Sequence, residues 1–238
     1  MATTPSKTKT VPFMTPKVTL VYPKLNAPDT KFKAEGEFAT KANFTAEDAA
    51  PFIEKYEAVV AAHFETVKAE LQGKLKDAKT GAEKGKLKKE LDDLKQSDNP
   101  FKPVFDDDGN ETGDVQINFK LPAQITNKAT QKVTKLYPKF ADARGKSIDF
   151  SKAPAVWGGT VARIQGEFRP FYTAKAGVGA SIRLNAVQII DLKSSGSSRD
   201  PGFGDEGEGF EAEEGADQAA FGDTTQAEAP AGGDPDNF

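Results

Sequence analysis

The chain has 238 residues, a formal net charge of −4, one His and no Cys. The length suits one elaborated domain or two small ones; the lack of Cys removes disulfides and fits a reducing, intracellular compartment; one His without Cys leaves no zinc site of the usual kind. No apolar run approaches the roughly 20 residues that cross a bilayer, and the opening MATTPSKTKTVPF has Lys but no apolar core, so it does not read as a signal peptide.

Residues 11–44 read as strands. Val18, Leu20 and Tyr22 alternate with Lys17, Thr19 and Val21 until Pro23 and Pro28 interrupt. A second run, Lys31 to Thr40, spaces Phe32 and Phe38 evenly, and Gly36 between them suggests a bulge or a close backbone approach. From Thr45 the period changes. Thr45 and Asp48 make a weak capping box, with Pro51 tolerable in a first turn. Phe52, Ile53, Tyr56, Val59, Val60, His63, Phe64, Val67 and Leu71 then recur at three and four, which predicts an amphipathic helix lying over a sheet. His63 falls inside that stripe and reads as a partly buried helix residue rather than a general base.

Residues 73–96 hold seven Lys between Lys74 and Lys89, against Asp77 and Glu83. Gly73, Gly81 and Gly85 weaken a helix here. The segment reads as a solvated, partly mobile helix; the functional alternative is an arm that contacts phosphates. A hairpin follows, with Phe101, Val104 and Phe105 before Asp106-Asp107-Asp108-Gly109-Asn110 and an alternating Val115, Ile117, Phe119 after it. An EF-hand loop starting at Asp106 would need Gly where Glu111 stands, so the turn is preferred to a calcium site. Residues 121–157 mix short strands and loops, and Lys128, Lys132, Lys135, Lys139, Arg144 and Lys146 interleave with Tyr137 and Phe140.

Beyond Gly158 the pattern is β again. Val161, Ile164 and Phe168 share one strand; Ile182, Leu184, Ala186, Gln188 and Ile190 are expected on one face of another. The stretch Arg169 to Gly179 between them reads as an aromatic, basic, Gly-rich loop, without the helix a dinucleotide fingerprint requires. Lys193-Ser-Ser-Gly-Ser-Ser reads as a flexible linker. The last 39 residues, Asp200 to Phe238, carry twelve Asp and Glu and no Lys or Arg. The other 24 acids face all 32 Lys and Arg, so residues 1–199 carry +8. Such a tail repels itself and buries too little to offset its ordering entropy, so disorder is expected. A basic body joined to an acidic tail points to nucleic acid.

Many short strands, one prominent helix and aromatic–basic interleaving fit a mainly β, partly open Greek-key barrel of the OB type. Single strands need that mixture, because bases stack on aromatic rings while phosphates seek Lys and Arg. Duplex binding uses the charge but not the aromatics. On these grounds the candidate DNA contacts are Tyr22, Lys24, Lys132, Lys135, Tyr137, Arg144, Lys146, Trp157, Arg163, Arg169, Phe171, Tyr172 and Lys175. Tyr172 follows Pro170 in the polar loop and is the strongest stacking candidate; Trp157 beside Gly158 reads equally well as a core plug. No cofactor and no metal site is expected, and no GxSxG, HExxH or GxxxxGK[ST] motif supports catalysis.

Trp157-Gly158-Gly159-Thr160-Val161, then Gly166-Glu167-Phe168-Arg169-Pro170-Phe171-Tyr172, then Gly177-Val178-Gly179-Ala180-Ser181-Ile182-Arg183-Leu184, resemble the tailed-phage single-stranded DNA-binding proteins. The match is clearest over 156–192 and in the acidic tail closing on Phe238; the Lys-rich 73–96 segment has no counterpart in it. The resemblance implies an OB-fold domain over 1–192, with a helical insertion at about 45–96, and a linker and partner-binding tail over 193–238. It implies a protein of the infected host cytoplasm that coats single-stranded DNA in replication and recombination. It also implies that Asp234, Asp236 and Phe238 dock on replication proteins such as polymerase or helicase-primase. A homodimer is compatible with the sequence, which fixes no oligomeric state. The competing readings are a duplex-binding architectural protein and an acidic, chaperone-like interaction protein.

Overall fold

The computed structural model describes residues 9–193 except 32 and 128. Phe32, Lys128, the linker beyond Lys193 and the acidic tail, with Asp234, Asp236 and Phe238, lie outside the described residues. Among the described residues eleven strands and two α-helices run in chain order: β1 (Val11–Met14), β2 (Val18–Asp29), β3 (Glu37–Phe44), α1 (Ala46–Asp77), α2 (Gly81–Asp92), β4 (Lys102–Phe105), β5 (Glu111–Pro122), β6 (Gln124–Thr126), β7 (Val133–Lys135), β8 (Lys139–Ala141), β9 (Ser147–Ile148), β10 (Val161–Thr173) and β11 (Gly177–Asp191).

Five of these strands close a ring. β2 pairs with β3, β3 with β5, β5 with β11, β11 with β10, and β10 again with β2. All the pairings are antiparallel except β5–β11. This is the five-stranded Greek-key barrel of the OB fold. β1 and the β8–β9 hairpin extend the sheet, and β6–β7 form a small separate ribbon.

Alternation places Leu20, Phe38, Phe44, Ile117, Phe119, Ile164, Phe168 and Leu184 inside, all essentially inaccessible. The first half of α1 presses Phe52, Tyr56 and Val60 onto this interior. Phe52 meets Phe13, Phe44, Phe119 and Phe168 at centroid distances of 5.1–6.1 Å, mostly edge to face, the geometry that aromatic quadrupoles favour. The Tyr56 hydroxyl donates to the Ala180 carbonyl at 3.1 Å. The Thr45 hydroxyl accepts from the Asp48 amide at 3.2 Å, as the capping signal implied.

α1 outruns its expected end at Leu71. Its second half turns Val67 and Leu71 to a smaller cluster with Val178, Leu87, Leu91, Leu94 and Tyr172. The Lys-rich segment is therefore a second helix hung on the first. Thr80 and Glu83 form its capping box, yet none of its residues is fully buried.

Three local expectations are corrected. Tyr22 does not continue the face of Val18 and Leu20: three steps from Val21 to Lys24 oppose two steps from Lys41 to Ala39, and this bulge carries Tyr22 outward. The face of β11 is not continuous either. Gly166 pairs with Leu184 while Gln165 pairs with Ala186, so Asn185 is an extra residue. Burial consequently passes from Ile182 and Leu184 to Val187 and Ile189. Gly166 is needed there, since a Cβ would stand 2.0 Å from the Arg183 carbonyl oxygen. Finally, Arg169 to Thr173 belong to β10, and Gly177 opens β11. The presumed loop shrinks to residues 174–176.

Candidate nucleic-acid interface

On the outer face of β2, β3 and β5 most of the residues between the buried ones are polar. A groove of about 410 Å³ is lined there by Tyr22, Lys24, Asp29, Lys33, Glu37, Ala39, Lys41, Asn118 and Lys120. A second depression continues from Tyr22 and Lys24 to Lys31 at the β2–β3 turn. Tyr22 is 78% exposed, the most exposed large hydrophobic side chain among the described residues, and its φ is +48°. A bulky residue at positive φ, immediately before Pro23, adopts a conformation that both its own side chain and the following proline disfavour. The bulge holds it there, and the Lys41 ammonium lies 5.9 Å from its ring centroid.

Trp157 is placed beside it. The Asn26 side chain donates to the Pro154 carbonyl at 2.8 Å and accepts from the Val156 amide at 2.9 Å. The Gly159 amide donates to the Leu20 carbonyl at 2.9 Å. These bonds lay the 154–159 segment along β2, and Trp157 is left 48% exposed. The half-exposed Trp157 thus stands on a segment that runs alongside the strand carrying Tyr22.

Of the two acids in the groove, Glu37 is the one held by lysines across it. Glu37, with a side chain only 15% exposed, pairs with Lys33 and, at 3.0 Å, with Lys120. Burial raises its carboxyl, but the hydrogen bonds and charges of the two lysines more than offset this and hold it below the usual range.

The remaining candidates fall into three other places. Lys132, Lys135 and Tyr137 belong to the β6–β7 ribbon and its exit. Tyr137 is half exposed and rests on Phe150 at 4.7 Å. The ribbon meets the groove's rim through the Ala123 amide, which donates to the Gly36 carbonyl. Arg144 and Lys146 sit on the β8–β9 turn, whose shape is set by Asp142 accepting from both their amides. Gln188 ties that turn to β11, and exposed Arg163 stands opposite Gln188 on β10. Arg169, Phe171, Tyr172 and Lys175 lie toward the far end of β10. Trp157 and Tyr172 lie at opposite ends of that strand, roughly 35 Å apart along its path. There the Tyr172 hydroxyl donates to a Glu90 oxygen of α2 at 2.9 Å, and its ring packs in the α1–α2 cluster. Arg169 pairs with Glu167 at 2.6 Å.

Sequence reasoning missed Lys31, Lys33, Lys41, Asn118 and Lys120. The signal was present: Lys41 alternates with Thr40 and Ala42, and Asn118 and Lys120 alternate with Ile117, Phe119 and Leu121. Reading the polar phase of those strands, not only the apolar one, would have found the groove.

A protein-family profile described as the single-stranded DNA-binding protein of bacteriophage T7 matches residues 16–192. No curated sequence matches closely. Among solved structures, gp2.5, a single-stranded DNA-binding protein encoded by bacteriophage T7, aligns at 16% identity with a TM-score of 0.58, over 79% of this chain and 96% of that one. The single-stranded DNA-binding protein of bacteriophage Enc34 in complex with ssDNA aligns at 17% identity with a TM-score of 0.41, over 77% of this chain and 88% of that one. The family match takes in the entire barrel, from the start of β2 to the end of β11, and the chain belongs to the phage single-stranded DNA-binding protein family.

Proposed function

We propose that this protein coats single-stranded DNA during phage replication and recombination, and that the strand lies in the groove of β2, β3 and β5. The observation that carries the reading is Tyr22, held outward by an unfavourable backbone at the mouth of a lysine-lined groove beside Trp157. Strain of this kind persists only where surrounding structure over-determines it, and it clusters at functional sites. Exposed aromatic faces serve unstacked bases, at roughly 1–3 kcal/mol per base, and have no use on a duplex. Lys132, Lys135 and Tyr137 flank the groove on one side. Arg163, Arg144 and Lys146 supply further phosphate contacts, and no reaction is catalysed.

The acidic tail completes the proposal. Its carboxylates compete with DNA for the groove, and Asp234, Asp236 and Phe238 dock on replication proteins, polymerase and helicase-primase among them. Trp157 fluorescence tests the core of the reading. Titration with a single-stranded oligonucleotide should quench it at far lower concentration than titration with the same sequence as duplex. Equal affinity for the two would favour the architectural alternative.

A further inference from the structure

The groove has a continuation around the barrel. Strand register puts Lys24 opposite Ala39, Ala39 opposite Lys120, Lys120 opposite Arg183, and Arg183 opposite Glu167. These residues form one transverse row on the outer face, since their neighbours Leu25, Phe38, Leu121 and Leu184 are buried. With strands about 4.8 Å apart, the three crossings from Lys24 to Arg183 span about 14 Å.

Arg183 is unusual within that row. Its Nε is shielded from solvent and has no hydrogen-bond partner among the described residues. The carboxylate opposite is shared, because its Oε1 lies 2.6 Å from both Nε and Nη2 of Arg169. Arg183 thus stands between two other cations, Lys120 and Arg169, beside an acid that Arg169 holds. Burial, then the charge of Arg169, push its guanidinium down, against the pull of Glu167. A guanidinium in this position is costly unless an oxyanion completes it, and its planar fork suits a phosphate bidentately.

We propose that Arg183 is a phosphate subsite for single-stranded DNA, reached from the groove along the row Lys24–Lys120–Arg183, so that the strand leaves the aromatic groove across β5 and β11. This rests on the groove binding single strands. The row's continuity with Tyr22 favours DNA as the occupant over an acidic segment of protein.

The test uses the full chain with oligothymidylates of about 5 and about 15 nucleotides, within the range of OB-fold site sizes. For Arg183→Gln, the slope of log K against log salt on the longer oligonucleotide should become shallower by about 0.7, the loss of one phosphate contact on a single strand. The slope on the shorter one should not change. Arg183→Lys should keep the slope, and Lys120→Gln should lose a similar amount, which provides a second readout. Tyr22→Ala should weaken both lengths. If Tyr22→Ala weakens both but neither Arg183→Gln nor Lys120→Gln alters the slope, the track is wrong and the groove stands. If Tyr22→Ala weakens neither, the underlying reading fails. A rise in affinity of Arg183→Gln at low salt would assign the guanidinium to the acidic tail and overturn the subsite.

Discussion

Tyr22 separates function from stability at a single residue. Left-handed backbone costs an L-residue about 1–2 kcal/mol, which glycine does not incur. Tyr22→Gly should therefore match or exceed the wild-type melting temperature, although glycine gives up some of the gain to unfolded-state entropy. Tyr22→Ala keeps the strain and should melt near the wild type. Both should lose single-strand affinity together, by roughly 1–3 kcal/mol. Calorimetry and an oligonucleotide titration on the same samples give both answers, and wild-type binding by either variant would remove Tyr22 from the interface. Glu37 acts in the opposite sense. It offsets one of the two positive charges of Lys33 and Lys120 and presents a negative charge to any phosphate in the groove. Glu37→Gln should tighten DNA binding severalfold at low salt and steepen the salt dependence, because one unit of positive charge shared by the two lysines is released for phosphate. An unchanged salt slope would show that neither lysine reaches the strand.

Among the elements, α2 depends most on a few contacts. No side chain in it is fully buried, and it is held by Leu87, Leu91 and the Tyr172–Glu90 hydrogen bond. Burial, followed by the hydrogen bond and charge of Glu90, pushes the Tyr172 phenol up to about 12. The unfolded chain deprotonates near the ordinary value of about 10. The protonated phenol's contribution is thus complete below pH ~10 and is lost as pH rises through about 12. Wild type should lose α2 protection from hydrogen exchange across that window, and Tyr172→Phe should not. A phenolate absorbance titration should show the late-titrating group move down in Glu90→Gln. The barrel, the long helix and the Asp106 turn were legible because their signals are local: period 2, period 3.6 and Asp-Gly. The bulges at Tyr22 and Asn185 were not, because each depends on the partner strand's register, and one extra residue reverses every later side chain. The same blindness hid most of the groove. Lys41 and Lys120 are ordinary polar positions on their own strands and become a site only when β2, β3 and β5 lie side by side. Tyr172 was drawn toward the site by its neighbours Pro170 and Lys175, while its partner Glu90 lies 82 positions away in sequence.

At the scale of the whole molecule, charge is divided along the chain: +8 over residues 1–199 and twelve carboxylates with no cation over the last 39. A flexible linker, as the Ser-Gly composition of 193–198 leads one to expect, would give a tethered tail an effective concentration of about millimolar. On the proposed competition, the tail and DNA would seek the same lysines, and the outcome would depend on salt, because both interactions are screened over a Debye length of about 10 Å at 0.1 M. Truncation after Lys193 should tighten single-strand binding several-fold at low salt and change it little near physiological salt, where the tail's attraction has faded. The truncated protein should also show the steeper salt slope, since DNA no longer displaces an internal competitor as it binds. Deleting Phe238 alone removes one aromatic ring but no side-chain carboxylate, so DNA binding should stay near the wild type while binding to a replication protein falls. Paired titrations across a salt series, with full-length, truncated and Phe238-deleted chains, separate the two roles of the tail. Equal affinities of full-length and truncated chains at low salt would rule out competition, whatever the groove binds.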